Sequence, residues 1–500
     1  MKKLSALCGC LLVSFGLFRS LGAASAPTAI VDVSTVAELQ TAFAGLASGT
    51  TIRVAPGRYR LTQELVFRNN VTNVALLGAT GNRDDVVIVG TGMTTPGVNI
   101  AVKVENAQDV RIGDLSIGEA YWHPIQLKGE MGAERVTISN VRLFDAGEQF
   151  LKSTNNPLAP DGVDNVIVEN SLIEFTALGP ASGYTEGIDI HHGANWIIRH
   201  NVIRNIRVPT TATYLNRPAI LAWSGSRNTT VYGNLIVNCE RGIIFGQGGQ
   251  SEYGNSHSGG AIYNNFIYRT DPVNADSGIS IWDSPGTRVY HNTVIQNGTY
   301  PTAIEYRFAT TTGVEIINNL TDAAIVQRDG AAAVVTNNYT QAIPAMFVNP
   351  SAADLHLLAS ATAAIDRGIT VPMVVDDWDR EVRPGGTAPD LGADEWYGVT
   401  PTPTPTPSPT LVAPSLQASV TGGSVQLSWT DGSTSETGFV IERSDSRRDA
   451  FRVIAQAAAN ATAYLNTGLS RGQYRFRVRA ADAVSGSFSP YSNVVDVRIK

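Results

Sequence analysis

Gly187-Ile188-Asp189-Ile190-His191-His192 is the stretch that decides the fold. Its residues alternate apolar and polar with the period of a strand that has one buried face. Ile188 and Ile190 point inward in this reading, so Asp189 and His191 stand outward. The same short pattern recurs on both sides along the chain. Asn140, Asn170, Asn201, Asn234, Asn265, Asn292, Asn319 and Asn338 each follow a short strand-like run, at intervals mostly between 27 and 33 residues. That spacing predicts stacked coils joined by loops of variable length. Asn suits a turn with left-handed backbone geometry, and identical Asn side chains on successive coils are placed to hydrogen-bond in a ladder.

Composition agrees with a strand-rich repeat. Gly is abundant, with 47 residues, and charged residues make up only 16% of the chain, which does not describe a helical enzyme. Lys2 and Lys3 precede an apolar run from Leu4 to Phe18 and the small residues Gly22-Ala23-Ala24, so residues 1–24 read as a secretory signal. Cleavage there removes Lys2, Lys3 and Arg19, taking the net charge from −7 to −10, which argues against a nucleic-acid binder. It also removes Cys8 and Cys10, leaving Cys239 and no internal disulfide. No later stretch has the roughly 18 consecutive apolar residues of a membrane span. The expectation is a secreted monomer.

Thr35 and Glu38 are spaced as a capping box, and Val36, Leu39, Phe43 and Leu46 give one apolar face, so a short capping helix is expected ahead of the coils. Thr400 to Thr410 alternates Pro and Thr, an extended linker, at 398–411, between the coils at 25–397 and a second unit at 412–500. Within the coils, Gly49 to Tyr59, Asp354-Leu355-His356-Leu357, Ala364-Ile365-Asp366-Arg367-Gly368 and Asp390-Leu391-Gly392-Ala393-Asp394-Glu395 resemble the entry and closing segments of pectate-lyase-like proteins. Residues from about 34 to 396 are thus similar to their right-handed parallel β-helix, a fold that also hosts hydrolases, epimerases and adhesins. Residues 412–500 resemble a fibronectin type III β-sandwich, with Trp429 in an early strand and Tyr474 at the place of its tyrosine corner. The chain is therefore expected to be all-β.

Aligning the coils by an inward apolar pair maps their outer face. Ile125 and Leu127 align with Gln149 and Leu151, then with Ile188 and Ile190, Ile220 and Ala222, Ile243 and Phe245, Ile279 and Ile281, Ile304 and Tyr306, and Ile325 and Gln327. The outward residue after each pair reads Lys128, Lys152, His191, Trp223, Gly246, Trp282, Arg307, Arg328, and Glu305 lies outward beside this row. A charged row is usually a solvated face. Here the cations are expected to pair with uronate carboxylates or sulfates and the tryptophans to stack on sugar rings.

Lys152, His191 and Asp189 are the catalytic candidates. Eliminating a sugar acid needs a base for the proton alpha to a carboxylate and a positive charge to stabilise the carbanion-like intermediate. Lysine is a base when neighbouring cations depress its pKa, and this alignment puts Lys128 beside Lys152. Substrate-binding candidates are Lys128, Trp223, Trp282, Glu305, Arg307 and Arg328, with Glu305 and Arg307 serving a remote subsite. Insertions at 153–165 and 177–186 read as cleft walls. Asn140-Val141-Arg142-Leu143-Phe144 followed by Glu148-Gln149-Phe150-Leu151-Lys152-Ser153 is similar to a segment of the chondroitinase B and alginate lyase family, with one residue fewer between the Glu and the Lys. That resemblance implies Lys152 as base and Glu148 as a calcium ligand; independently of it, Asp161, Asp164 and Glu186 are further candidate calcium ligands. The expected partner is an anionic polysaccharide and the expected reaction β-elimination. A glycoside hydrolase, for which Asp189 with Asp161, Asp164 or Glu186 are the available carboxylates, and a non-catalytic carbohydrate-binding surface protein are the alternatives.

Overall fold

The structure of the protein is a computed structural model. It describes residues 29–156, 162–176, 179–209, 211–212, 218–248, 254–398, 413–430, 433, 438–446, 451–458, 461–482, 487–489 and 491–499. The signal segment, most of the Pro/Thr linker and Asp161 therefore lie outside the described residues.

One parallel sheet of ten strands carries the coil pattern. In chain order its strands are Leu65–Phe67, Ile100–Val104, His123–Lys128, Leu151–Thr154, Ile188–His191, Pro218–Trp223, Arg241–Phe245, Ile279–Trp282, Thr302–Arg307 and Ala324–Arg328, each beside the next. Most other strands of the coils join a second, twenty-stranded parallel network, while Ser226–Arg227 and His257–Ser258 pair as a separate two-stranded sheet. Inward residues such as Ile125, Leu127, Leu151, Ile188, Ile190, Ile220 and Ile243 are fully buried in one continuous core. Burial of these aliphatic side chains, and not any disulfide, holds the stack together; Cys239 is free and buried.

The Asn ladder forms from Asn201 to Asn338. Asn201 Nδ2 donates to Asn234 Oδ1 at 3.0 Å, and the same bond links Asn234 to Asn265, Asn265 to Asn292, Asn292 to Asn319 and Asn319 to Asn338 at 2.9–3.0 Å. The left-handed turn belongs to the residue before each rung: His200, Gly233, Asn264, His291, Asn318 and Asn337 have φ between 49° and 64°. Asn140 and Asn170, with φ of 53° and 52°, occupy that turn position and are not rungs. After Asn170 the ladder place is taken by Ser171, whose N–H donates to Asn201 Oδ1 at 3.0 Å, and after Asn140 by Val141, whose N–H donates to Ser171 Oγ at 3.1 Å.

The helix Val36–Ala44 has both bonds of its capping box and sinks Leu39 and Phe43 into the core, where Phe43 meets Phe67 edge-on. The tail at 344–396 runs along the flank of the later coils. Leu355, Leu357, Leu391 and Ala393 pack with Phe266, Tyr268, Ile295 and Leu320 in a second cluster, locked by a fully buried Arg383–Glu395 pair at 2.5 Å. The strand Ala333–Thr336 in the last coil keeps Val334 at 59% exposure, so the tail covers a side and leaves this strand open. The described strands between Leu416 and Ile499 form two antiparallel sheets around Trp429, Phe439, Ile441, Phe476 and Val478. Tyr474 donates its hydroxyl to the Ser470 carbonyl at 3.0 Å, the geometry of a tyrosine corner. No helix among the described residues is long and apolar enough to cross a membrane.

Candidate functional site

The strand register brings Lys152 and Asp189 side by side. Leu151 pairs with both Ile125 and Ile188, so Lys152 stands beside Gln126 and Asp189. The expected alignment was two residues out at this one rung, and every later rung pairs as expected. The cause is local. Gln149 lies before the strand, buried, its side chain bonded to Glu186 and its carbonyl to the His123 ring. Phe150 turns into the core against Phe175, and Ser153 takes the second inward place, fully buried, accepting the His191 N–H at 3.0 Å. Lys128 is thus beside Thr154, paired with Glu130 at 3.4 Å, and gives Lys152 no depressing charge.

Asp189 is the hub. Its side chain is 1% exposed, and it accepts from Lys152 Nζ at 2.8 Å, from Trp223 Nε1 at 2.8 Å and from His191 Nε2 at 3.1 Å. Lys152 Nζ also donates to the Tyr184 hydroxyl at 3.2 Å. The His191 ring stands edge-on to Trp223 with centroids 4.6 Å apart. Burial alone pushes the Asp189 carboxyl up, but the charges of His191 and Lys152 and their hydrogen bonds outweigh it and hold it well below the carboxylate range. Burial alone likewise pulls Lys152 down, yet Asp189 and Tyr184 overcome it and hold the ammonium above the usual lysine value. Lys152 therefore rests as a cation, which corrects the expectation of a lysine depressed towards the neutral base.

With its Nε2 proton given to Asp189, His191 is fixed as one tautomer. Among the described residues nothing hydrogen-bonds its Nδ1, which is left to accept a proton. His123 lies behind the site with Nδ1 on the Gln149 carbonyl at 3.1 Å; burial first, then Lys152, lower it to about 3 and keep it neutral. His192 is buried in a left-handed turn, its Nδ1 on the Ser224 carbonyl at 3.2 Å, as expected of a structural histidine.

The remaining candidates separate. Trp223 belongs to the hub. Trp282 is only 8% exposed and, with Trp223 and Phe308, covers the outward side chains of Leu221 and Ile244. Its indole N–H is held by Glu305 at 2.7 Å and its ring lies near the Arg241 and Arg307 guanidiniums. It is packing, not an open platform for sugar. Glu305 is buried and also holds Arg328 at 3.0 Å, while Arg307 is paired with Asp329. The cations at this end of the row are therefore already neutralised within the protein, contrary to expectation. Two residues that the pattern did not single out fit better. Tyr184, on the expected cleft wall, is 39% exposed above Lys152. Trp122 is 40% exposed, and its carbonyl receives the Glu148 N–H at 2.9 Å. Both sit outside the apolar-pair alignment, so it gave no signal for either.

The calcium set does not assemble. Glu148 faces His123 at 3.8 Å, Asp164 accepts from the Ala194 N–H at 2.8 Å and from Arg227, and Glu186 is buried on Gln149. Among the described residues the one group of three metal-type ligands is His356, Asp379 and Asp394, in the tail. The donors at 148, 164 and 186 do not fit a shared ion, and no step is derived through one.

The family model described as right handed beta helix region matches residues 125–305, the span of the coils that hold this site. No curated protein matches the chain. Among solved structures, a beta-1,2-glucanase from Parabacteroides distasonis is 21% identical over 18% of this chain and only 12% of its own, with a TM-score of 0.16. Alginate lyase from Paenibacillus sp. is 16% identical, covering 62% of this chain and 95% of that one, with a TM-score of 0.33. Pectate lyase Pel9A is 13% identical, covering 74% and 97%, with a TM-score of 0.40. At these scores none of them carries an activity to this chain.

Proposed function

We propose that this protein is a secreted polysaccharide lyase that cleaves an anionic, uronate-containing polysaccharide by β-elimination at the Lys152–Asp189–His191 site. The observation that supports it is the buried Asp189 carboxylate gripping an ammonium, an imidazole and an indole together on the outer face of the sheet. In this reading the Lys152 ammonium faces the uronate carboxylate and stabilises the negative charge that develops as the α proton leaves. His191 takes that proton on Nδ1, and Asp189 stabilises the resulting imidazolium. The electron pair forms the new carbon–carbon double bond, the glycosidic C–O bond breaks, and the Tyr184 hydroxyl returns a proton to the leaving oxygen. Asp189 orients the others and transfers no proton. The sandwich at 416–499 is read as a fibronectin type III module that spaces or attaches the lyase.

A hydrolase on this scaffold needs two working carboxylates about 5 to 9.5 Å apart. Asp189 is buried with three donors on it, which counts against that use. The test offers alginate, pectate and chondroitin and follows ultraviolet absorbance of an unsaturated product beside reducing ends. Absorbance that rises and is lost in His191→Gln, with the fold intact, supports the lyase. Reducing ends without absorbance would establish the hydrolase, and binding with neither signal the adhesive reading.

A further inference from the structure

We propose that His356, Asp379 and Asp394 bind one borderline divalent cation, of which zinc is the probe, at a site separate from the hub. One ligand atom of each lies within 4.8 Å of the others. The three come from separate places in the tail: the strand Asp354–Leu357, the turn beyond Asp377, and the run that ends at Glu395. His356 Nε2 and Asp379 Oδ2 are 2.8 Å apart. Two ligands of a tetrahedral ion, with bonds of about 2.0–2.2 Å, stand about 3.3 Å apart, so the pair needs to open by only about half an ångström. Asp379 is exposed and free to make that movement, whereas Asp394 is nine-tenths buried and fixed.

The surroundings hold the ligands as a metal site requires. A ligating histidine commonly gives its second ring N–H to a carboxylate, which fixes the tautomer and aims the other nitrogen. Here Asp354 Oδ1 sits 2.5 Å from His356 Nδ1, leaving Nε2 for the ion. The ring is fixed in addition by edge-on contacts with Phe266 and Trp378, both at 5.4 Å between centroids. One oxygen of Asp394 receives the Leu357 N–H at 2.6 Å. Asp354 and Asp379 flank the His356 ring, and Asp394 lies beside them. An imidazole with two carboxylates suits zinc and its neighbours, whereas calcium and magnesium ask for six or more oxygens. The ion would tie three segments of the tail to one another beside the cluster that anchors the tail to the coils.

The experiment titrates zinc chloride into the full chain, stripped with a chelator, by calorimetry, with thermal unfolding in parallel. One saturable site per chain is expected, with a rise in melting temperature that the chelator reverses. Asp379→Asn, at an exposed position that leaves the fold intact by circular dichroism, should weaken binding at least tenfold, and Asp394→Asn should do the same. The proposal is overturned by no saturable binding up to on the order of 1 mM zinc, since a built structural zinc site binds far more tightly than that. It is also overturned if both variants keep the wild-type affinity, which would place the zinc elsewhere on the chain. Equal stabilisation by calcium at the same concentration would refute the donor argument.

Discussion

Replacing Asp189 by Asn keeps the shape of the hub and removes the charge that its neighbours use. The side chains of Asp189 and Lys152 are only 1% and 10% exposed, so water screens their pair little. Removing one partner of such a pair costs about 3–5 kcal/mol, because the other charge stays buried. The Tyr184 hydroxyl still receives Lys152, and an amide oxygen can still accept from Trp223, so the lower end, about 3 kcal/mol, is expected. The pH dependence gives a second check. The folded carboxyl lies below its unfolded value, so its contribution is complete above the unfolded pKa of about 3.9 and is lost as the pH falls through the folded one. Lys152 is shifted the other way: its contribution is complete below about 10.4 and is lost as the pH rises from there through its folded value. The difference between wild type and Asp189→Asn should therefore be flat from pH 5 to 9 and narrow by about 1.4 kcal/mol per unit below about pH 4. Urea unfolding followed by tryptophan fluorescence measures it. A variant within about 1 kcal/mol of wild type at pH 7, or a gap that widens in acid, would refute the hub as a charge-paired unit.

The ladder and the tryptophans give further tests. Asn265→Ala takes the acceptor from the buried N–H and Nδ2 of Asn234, now at 3.1 and 2.9 Å, and should cost about 3 kcal/mol in urea unfolding. Asn338→Ala at the half-exposed end of the ladder should cost less than about 1 kcal/mol, because water replaces the lost partner. Trp282→Ala uncovers Leu221 and Ile244 and should destabilise by about 3–5 kcal/mol. Trp122→Ala should leave stability within about 0.5 kcal/mol and weaken polysaccharide binding by about tenfold in affinity electrophoresis.

The coil architecture was legible because it rests on features that are local in sequence. An inward apolar pair, a turn residue and a recurring Asn are each visible within one coil. What one coil cannot show is how two demands are shared between neighbours. Asn was expected to serve both turn and ladder, yet a buried rung needs ordinary backbone geometry, so the left-handed turn falls on the residue before it. Asn140 and Asn170 match the repeat by letter and sit one place early. The tail was recognisable as a unit, but its place along the flank depends on outward apolar residues such as Phe266 and Leu320, whose partners lie far away in sequence. Trp282 was misjudged for a similar reason. Outward Leu221 and Ile244 are apolar, and an apolar outer face needs a cover before it can offer one to a sugar.

The hub shows a sharper limit on pattern reading. Alternation has a period of two, so a register error of two residues leaves every side chain on its proper face and raises no conflict with burial. It changes only which neighbour stands 4.8 Å away, and for Lys152 that is the whole of its chemistry. Beside Lys128 the ammonium would be destabilised and the lysine would tend towards a neutral base. Beside Asp189 it is stabilised, and the capacity to take a proton passes to His191. The choice between these is made by Gln149, Phe150 and Ser153, which break the apolar-pair template at that rung. A polar residue lies where the template wants an inward aliphatic, because Ser153 there holds the His191 backbone. The rung at which the pattern fails is thus the rung whose irregular residues position the site, which is where a local rule is expected to yield to function.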